Sequence, residues 1–300
     1  MKRLMLVTCM LGLGCLGWAQ SAPRLGSSQT FAVLGGTNVT CTAPGVITGD
    51  VGVSPGSAVP FTNTGCTIAG TVHTNDLAAT NARTDFLKAY TALESDSLTP
   101  CTQTISTAAF TGNVPVLGPL PPGVYCFTAA VTFTDTTLTL DGSTNPNGIW
   151  IFKVEGALTG SGFQVVMANG AQACNVFWAV DAAVTLSTST LPPLFQGNIL
   201  AGDPALGSIT ITGGALVGRA FANIAVTMTN TNVNGVCALV DQAKAGCKTD
   251  DDDRDEDKDH DKDRDHDKDR DHDRDRDHKD RDKHHDKDHG DKDRDHDDRD

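Results

Sequence analysis

One serine stands in a pattern known from catalytic sites. Gly52-Val-Ser-Pro-Gly56 matches G-x-S-x-G, in which the serine oxygen attacks a carbonyl carbon and the backbone N–H of the following residue stabilises the oxyanion. Here the following residue is Pro55, which has no N–H to donate. The base would have to be His73, the only histidine before residue 250, and no strand–helix unit lies between it and Ser54. We therefore predict a chain corner here and no hydrolase.

Other side chains that carry catalysis or bind metals are sparse before residue 250. The sequence contains no HExxH pair, no Gly/Lys phosphate loop and no pair of carboxylates in an apolar setting. None of the cysteines has CxxC spacing, which argues against a zinc site or a redox motif. We therefore predict that this part of the chain is not an enzyme and has no catalytic residue, no cofactor and no metal.

Hydroxyl side chains recur instead in a regular pattern. Thr or Ser alternates with apolar residues in five segments, at Thr132 and Thr134, Thr137 and Thr139, Thr185 and Ser187, Thr210 and Thr212, and Thr227 and Thr229. Period-two alternation predicts strands with the apolar side buried and the hydroxyls outward. Threonine also simply suits an exposed strand. The candidates for one flat, uncharged surface are Thr185, Ser187, Thr210, Thr212, Thr227 and Thr229.

Two pairs of glycine-centred segments indicate how such strands are arranged. Phe195–Ala201 and Leu216–Ala222 share the form apolar-x-Gly-x-apolar-x-small and start 21 positions apart. Ile47–Val53 fits the same form and Ile68–Thr74 nearly does, again 21 positions apart. A strand pattern repeated about every twenty residues predicts the stacked coils of a β-solenoid. The alternative is an ordinary β-sandwich, which also contains many short alternating strands.

One helix is predicted at about residues 75–94. Thr74 or Asn75 can cap it, and apolar residues recur at helical spacing on one side. These residues are Ala79, Ala82, Phe86, Tyr90 and Leu93. We interpret the stripe as core packing, with the helix covering one edge of the solenoid.

The two ends of the chain differ from the part between them. Met1-Lys-Arg and an apolar run to Leu16, too short to span a bilayer, predict a signal peptide at residues 1–19. The alternative is a lipoprotein anchored through Cys15, although Gly12 stands where Leu is usual. We therefore expect a protein that is secreted or attached to the cell envelope.

Residues 249–300 form a tail in which Asp alternates with Lys, Arg or His. Residues 250–300 carry 27 acidic and 15 basic side chains, which gives −12 of the total charge of −14. A segment without apolar residues cannot bury a core and is predicted to be disordered. The tail can bind divalent cations or a surface weakly, but it lacks the glycine and glutamate of an EF-hand loop. The nearly neutral remainder offers no basic surface for nucleic acid.

Seven cysteines remain after the signal peptide, and export permits disulfides. Cys101 and Cys126 bracket one Pro-rich loop, so we predict that they pair. Cys41–Cys66 and Cys237–Cys247 are further candidate pairs. They leave Cys174, on a predicted buried strand, as the free thiol.

Several motifs together resemble the microbial ice-binding protein-like family over roughly residues 28–238. They are Phe31-Ala-Val-Leu-Gly35, Val46–Gly56, Pro122-Gly-Val-Tyr125, Ile149-Trp-Ile-Phe152, Asn169–Trp178, Gly197-Asn-Ile-Leu200 and Gly218-Arg-Ala220. The resemblance implies a mainly β domain at residues 28–240, a right-handed, discontinuous, three-faced β-solenoid with one long α-helix packed alongside. It also implies secretion and non-catalytic binding to the surface of ice crystals through one flat solenoid face.

The resemblance is weaker in the motif that would bind ice. Some members of the family carry Thr-Ala/Gly-x-Thr/Asn on the binding face, and here only Thr64-Gly-Cys-Thr67 fits. The alternative function is therefore a structural or adhesive protein of the cell envelope, with the same fold and no affinity for ice.

Overall fold

The computed structural model describes residues 22–105, 109–112, 119–190 and 193–236. The predicted signal peptide, the charged tail and the candidate pair Cys237–Cys247 all lie outside the described residues. No helix among the described residues is long and apolar enough to cross a membrane.

The described residues form 22 strands, one α-helix and two short 3-10 turns. The α-helix, α1, spans Leu77–Glu94, and the turns span Gly26–Thr30 and Ala173–Asn175. The strands are β1 (Phe31–Gly35), β2 (Asn38–Thr48), β3 (Asp50–Val53), β4 (Phe61–Ala69), β5 (Val72–Thr74), β6 (Gln103–Ile105), β7 (Ala109–Thr111), β8 (Gly123–Phe127), β9 (Val131–Thr134), β10 (Thr137–Asp141), β11 (Trp150–Val154), β12 (Leu158–Ser161), β13 (Gln164–Ala168), β14 (Val176–Val180), β15 (Val184–Ser187), β16 (Leu194–Gln196), β17 (Asn198–Ala201), β18 (Ile209–Thr212), β19 (Ala215–Val217), β20 (Ala220–Ala222), β21 (Ala225–Thr229) and β22 (Asn232–Asn234).

The strands wind into coils with three faces, and every pairing between them is parallel. A nine-stranded sheet, which we call the helix-covered face, contains β1, β3, β5, β6, β8, β11, β14, β17 and β20. The second sheet contains the other two faces. Each full coil passes from the helix-covered face through these two and back, as β11, β12 and β13 do before β14 begins the next coil. This confirms the β-solenoid and excludes the sandwich.

The coils do not stack in the order of the chain. Strand β1 pairs with β20 on one side and with β3 on the other, so the N-terminal coils lie on top of the last C-terminal coil. The same holds for the second sheet, where β2 pairs with both β21 and β22. The solenoid is therefore discontinuous, as the family resemblance implied.

Two apolar layers hold the fold together. The inner layer fills the solenoid and contains stacked aromatic rings, among them Phe133 on Phe163 with centroids 4.1 Å apart and Phe152 on Trp178 at 4.0 Å. The outer layer lies between the helix-covered face and α1. Strands β11 and β14 are buried along their whole length because they contact both layers. This explains why their sequences lack alternation.

Helix α1 begins two residues later than the predicted boundary. Its N-cap is Asp76, whose Oδ1 accepts a hydrogen bond from the Ala79 N–H at 2.8 Å. Asn75 cannot be the cap because it lies in the left-handed region, with φ of 57°. The buried stripe is Ala79, Ala82, Phe86, Ala89 and Leu93, whereas Tyr90 is only half-buried.

Disulfides join Cys41 to Cys66 and Cys101 to Cys126, with Cα atoms 6.1 and 5.9 Å apart. The expectation that Cys174 is a free thiol is wrong, because Cys174 is disulfide-bonded. It lies in the 3-10 turn before β14 and not on the buried strand itself. Cys174 is half-buried in this turn.

Candidate functional site

One face of the second sheet carries hydroxyl groups in two continuous rows. We call it the threonine face; it consists of β7, β9, β12, β15, β18, β21 and the first halves of β2 and β4. Strand pairing places the first row in the order Thr132, Thr159, Thr185, Thr210, Thr227, Thr40 and Thr62. The second row is Thr111, Thr134, Ser161, Ser187, Thr212, Thr229, Thr42 and Thr64.

The spacing of this array follows from strand geometry. Neighbouring strands of a sheet lie about 4.8 Å apart, and outward residues two apart on a parallel strand lie about 6.6 Å apart. Register is unbroken from β7 to β4 on this face, so the hydroxyl groups repeat at these two distances over eight strands. The result is a continuous two-row lattice of small side chains.

The six predicted site residues lie together within this lattice. Thr185, Thr210 and Thr227 are consecutive in the first row. Ser187, Thr212 and Thr229 are consecutive in the second. Of the other predicted threonine segments, Thr132 and Thr134 belong to the rows, whereas Thr137 and Thr139 lie on the third face.

The six candidates predicted from the sequence did not include the members contributed by β2, β4, β7 and β12, although Thr64 on β4 had been noted in the motif Thr64-Gly-Cys-Thr67. Val39 and Cys41 alternate with Thr40 and Thr42, so a strand signal was present in β2, but its position beside β21 required the discontinuous stacking. In Leu158-Thr-Gly-Ser161 the second inward position is a glycine, which removes the apolar alternation. Gly160 leaves room for Phe163 and Leu186, because a Cβ at this position would stand 2.9 Å from each.

The hydroxyl groups of the threonine face are available to solvent. All fifteen residues are exposed or half-buried. In the described part of the chain only Thr40 among them takes a hydrogen bond from another side chain, at 3.5 Å from Asn38 Nδ2. The other fourteen hydroxyls are not used in this way among the described residues, so each can donate to and accept from water.

The threonine face is uncharged and rigid. Its strands contain no Asp, Glu, Lys or Arg, and the nearest such residue in sequence is Asp135, at the corner after Thr134. The inward residues of the same strands are core residues such as Phe133, Leu186 and Ile211. Threonine is β-branched and has few χ1 rotamers, so the methyl and hydroxyl positions are largely fixed before any contact forms.

The third face, which we call the mixed face, lacks this regularity. It consists of β10, β13, β16, β19, β22 and the second halves of β2 and β4. One aligned set of outward residues reads Thr137, Gln164, Leu194, Ala215 and Asn232. Amides, aliphatic side chains and Asp141 are interspersed on this face, so it repeats no single chemical group.

The residues of the rejected hydrolase motif are not brought together. Ser54 Oγ lies 3.0 Å from Thr80 Oγ1, while His73 Nδ1 lies 2.7 Å from Asp76 Oδ2. The Ala79 N–H and then His73 hold the pKa of Asp76 below its usual range. Asp76 and His73 therefore act at the start of α1, and Ser54 has a structural partner.

A cluster of carboxylates lies where α1 ends. Burial, and then the charge of Asp181, raises the pKa of Glu94 to about 7. Asp181 also accepts a hydrogen bond from the Tyr90 hydroxyl at 2.7 Å. Lys153 is buried beside this cluster and donates to Asp96 Oδ1 at 2.9 Å. Among the described residues no group of three or more His, Cys, Asp or Glu side chains is arranged to hold a metal ion.

A groove lies beside α1. It is lined by Ala22, Leu93 and Leu98 together with the polar pair Asp85 and Lys88. Lys88 Nζ lies 3.2 Å from Asp85 Oδ1, and Asp85 Oδ2 accepts from the Ser27 N–H at 2.9 Å. Asp85 therefore joins the N-terminal turn to α1, and Lys88 forms an ion pair with it.

The fold and this surface define a class of protein: a discontinuous β-solenoid with an uncharged, hydroxyl-lined face. Comparison with known proteins agrees, since the model of the ice-binding-like family matches residues 33–234. The chain belongs to this family.

Named relatives and solved structures share the domain. An ice-binding protein of Nostoc sp. (strain HG1) is 38% identical over 76% of this chain and 79% of its own length. One from Flavobacterium frigoris (strain PS1) is 31% identical over 68% of this chain and 73% of its own. The crystal structure of an ice-binding protein from the Antarctic ascomycete Antarctomyces psychrotrophicus superposes with a TM-score of 0.62 at 28% identity, covering 73% of this chain and all of that one.

Proposed function

We propose that this protein binds ice through the threonine face and acts without catalysis, as an antifreeze or an inhibitor of ice recrystallisation. The observation that carries the proposal is the pair of unbroken rows, in which fifteen Thr and Ser residues repeat across eight strands without a charge. Family membership supports ice as the partner.

A regular array suits a crystal better than it suits a single dissolved molecule. Water molecules on an ice surface repeat at fixed distances, so a protein surface that also repeats can make the same weak contact many times. Hydroxyl groups replace hydrogen bonds of ordered water, and methyl groups exclude disordered water from the contact. Rigidity adds to affinity because little conformational freedom is lost on binding.

The absence of charge from the face is part of the same argument. Lys, Arg, Asp and Glu hold water in orientations set by their own charge, which opposes an ice-like arrangement. On the threonine face such residues are absent from every strand, whereas the mixed face includes Asp141. This contrast favours the threonine face as the contact surface.

The test is to add bulk at the centre of the face. We expect Thr210→Tyr and Thr227→Tyr to reduce thermal hysteresis sharply, because a protruding ring holds neighbouring rows away from the crystal. Thr139→Tyr is the matched control, since Thr139 is likewise half-buried and outward on a strand but lies on the mixed face. A sharp loss from Thr139→Tyr with none from Thr210→Tyr would move the contact to the other face.

The native protein itself decides between the two candidate functions. We expect it to shape ice crystals and to partition into growing ice. If the protein neither shapes ice crystals nor partitions into ice, and does not inhibit recrystallisation at high concentration, the remaining function is that of a structural or adhesive envelope protein. Secretion is part of the proposal and is supported by the N-terminal signal pattern and by the disulfides.

A further inference from the structure

The coil at one end of the solenoid contributes the last residue of each row. We call residues 55–75 the end coil; its strands are β4 and β5, and within the described residues no strand pairs with their outer edges. Thr62 and Thr64 on β4 lie opposite Thr40 and Thr42 on β2. The end coil therefore sets how far the threonine face extends in this direction.

The end coil has very little apolar burial of its own. Of residues 55–75 only Cys66 is buried, while Phe61 and Ile68 are half-buried. Coils of a solenoid are stabilised mainly by the apolar surface that they bury against their neighbours. Backbone pairing with β2 and β3 remains, but the apolar layer that holds the inner coils is nearly missing here.

The buried cysteine of the end coil is bonded directly beneath the rows. Cys66 is joined to Cys41, which lies between Thr40 and Thr42 on β2 and points into the core. The Asn63 side chain also holds the backbone of Cys66. Its Oδ1 accepts a hydrogen bond from the Cys66 N–H at 2.8 Å, and its Nδ2 donates one to the Cys66 carbonyl at 3.0 Å. The disulfide thus ties the chain next to Thr64 to the interior of the neighbouring coil.

The opposite end of the solenoid is anchored differently. There Phe110 on β7 is buried and stacks on Phe133 with ring centroids 5.0 Å apart. The nearby disulfide, Cys101–Cys126, ends on β8 of the helix-covered face, and Cys126 packs in the outer layer beneath α1. This second disulfide is not beneath the threonine rows, which makes it a control for the first.

We propose that the Cys41–Cys66 disulfide is a positioning element of the ice-binding face, which holds Thr62 and Thr64 in register with the two rows. Without it the end coil separates from the stack and the working face ends one coil earlier, at Thr40 and Thr42. This inference rests on the proposed function, because it concerns the length of the surface that contacts ice.

The experiment compares Thr62→Tyr in two backgrounds, the native protein and the Cys41→Ala/Cys66→Ala variant. Thr62→Tyr should lower thermal hysteresis in the native background and have no further effect without the disulfide, since Thr62 no longer contacts ice there. Thr210→Tyr, at the centre of the face, should lower hysteresis in both. In a Cys101→Ala/Cys126→Ala background the effect of Thr62→Tyr should be unchanged.

An equal loss of thermal hysteresis from Thr62→Tyr in both backgrounds would overturn the proposal even if the protein binds ice. No loss in the native background would overturn it as well.

Amide hydrogen exchange provides a second readout that does not depend on ice. When the disulfide is removed, exchange should accelerate within the end coil, residues 55–75, and not in the other coils. Unchanged exchange in the end coil would also overturn the proposal. If the double alanine variant does not fold, Cys41→Val/Cys66→Ala refills the interior position. A native protein without hysteresis contradicts the proposed function, while the exchange data still decide whether the disulfide holds the coil.

Discussion

Thr40, near the start of the domain, lies directly opposite Thr227, near its end, on neighbouring parallel strands. Five consecutive register pairs, from Asn38 with Ala225 to Thr42 with Thr229, join the N-terminal coil to the last C-terminal coil. Both threonine rows cross this junction without a break. The length of the face therefore depends on contacts between segments that are distant in the chain.

The junction gives a first prediction. Thr40→Tyr should reduce thermal hysteresis about as strongly as Thr210→Tyr, because both positions lie inside the same row. Thr48→Tyr is the control, since Thr48 belongs to the same strand β2 but lies on the mixed face opposite Asn234. Hysteresis measured at equal concentrations decides the matter, and an effect of Thr48→Tyr equal to that of Thr40→Tyr would contradict the assignment.

A second prediction separates flatness from the loss of one chemical group. Thr227→Ser and Thr227→Val each remove one methyl or one hydroxyl from a surface of fifteen similar side chains, so each should lower hysteresis only slightly. Thr227→Tyr should lower it far more. A loss from Thr227→Val as large as that from Thr227→Tyr would show that individual hydroxyls, and not the shared flat contact, determine binding.

The sequence predicted the local features of this surface well and its extent poorly. Strands such as Ile209–Thr212 alternate strictly, because their side chains have only the core on one side and solvent on the other. The six predicted residues therefore lie in the rows. The remaining members could not be assigned to the rows from the sequence, because their place depends on which coils stack on each other. Here β2 of the N-terminal coil pairs with β21 of the last C-terminal coil. Local periodicity carries no information about that choice.

The helix-covered face shows the opposite case. The sequences of β11 and β14 show no alternation of apolar and polar residues, because both strands are buried on both sides. Trp150, Phe152 and Trp178 belong to these strands. Their unbroken apolar runs still predict a doubly covered sheet, which the structure confirms. Cys174 was wrongly predicted to lie on a buried strand, because the apolar run of β14 begins only two residues after it, at Val176. The structure places Cys174 in the 3-10 turn before that strand, where it is half-buried.

A third prediction concerns pH. Glu94 has an ordinary pKa of 4.5 when unfolded and about 7 when folded, chiefly because burial disfavours its charge. Between these two values the folded state keeps a proton that the unfolded state has lost. Stability should therefore fall as the pH rises from about 4.5 to 7 and stay lower above it. Asp181, Glu155 and Asp96 add to this effect, and Lys153 opposes it.

The variant that tests this is Glu94→Gln, which cannot ionise. Its melting temperature should match that of the native protein near pH 5 and exceed it near pH 8. Asp76, Asp85 and Asp141 do not interfere, because their pKa values are lowered and the stability they contribute is lost only at pH values below about 4. A native protein equally stable at pH 5 and pH 8 would contradict the role of Glu94.

A fourth prediction concerns Arg219, which is fully buried where β20 begins. Its Nη2 and Nε donate to the Gln29 carbonyl at 2.7 and 3.2 Å, and its Nη1 donates to Asn198 Oδ1 at 3.0 Å. Burial lowers the pKa of its guanidinium to about 10, so it remains charged at neutral pH. The side chain therefore ties the Gly26–Thr30 turn to the C-terminal coils.

Arg219→Ala should lower the free energy of unfolding by about 3 kcal/mol, since it leaves buried acceptors unsatisfied and opens a cavity. For a domain of this size that corresponds to a fall of roughly 6–12 °C in the melting temperature. Lys88→Ala is the comparison, because Lys88 forms an exposed ion pair with Asp85, a type of pair worth under about 1 kcal/mol. Equal effects of the two variants would mean that Arg219 does not stabilise the fold.

The last prediction concerns the charged tail. Deleting residues 250–300 removes 26 Asp, one Glu, 15 Lys and Arg and eight His, but no apolar side chain. Because a segment without apolar groups contributes nothing to a core, the melting temperature should be nearly unchanged. Thermal hysteresis should also persist, since all fifteen residues of the rows precede residue 230. Thermal unfolding of the full and truncated proteins in the same buffer provides the comparison. A shift of many degrees would show instead that the tail docks on the solenoid, and the same measurement in high salt would then reveal whether charge holds it there.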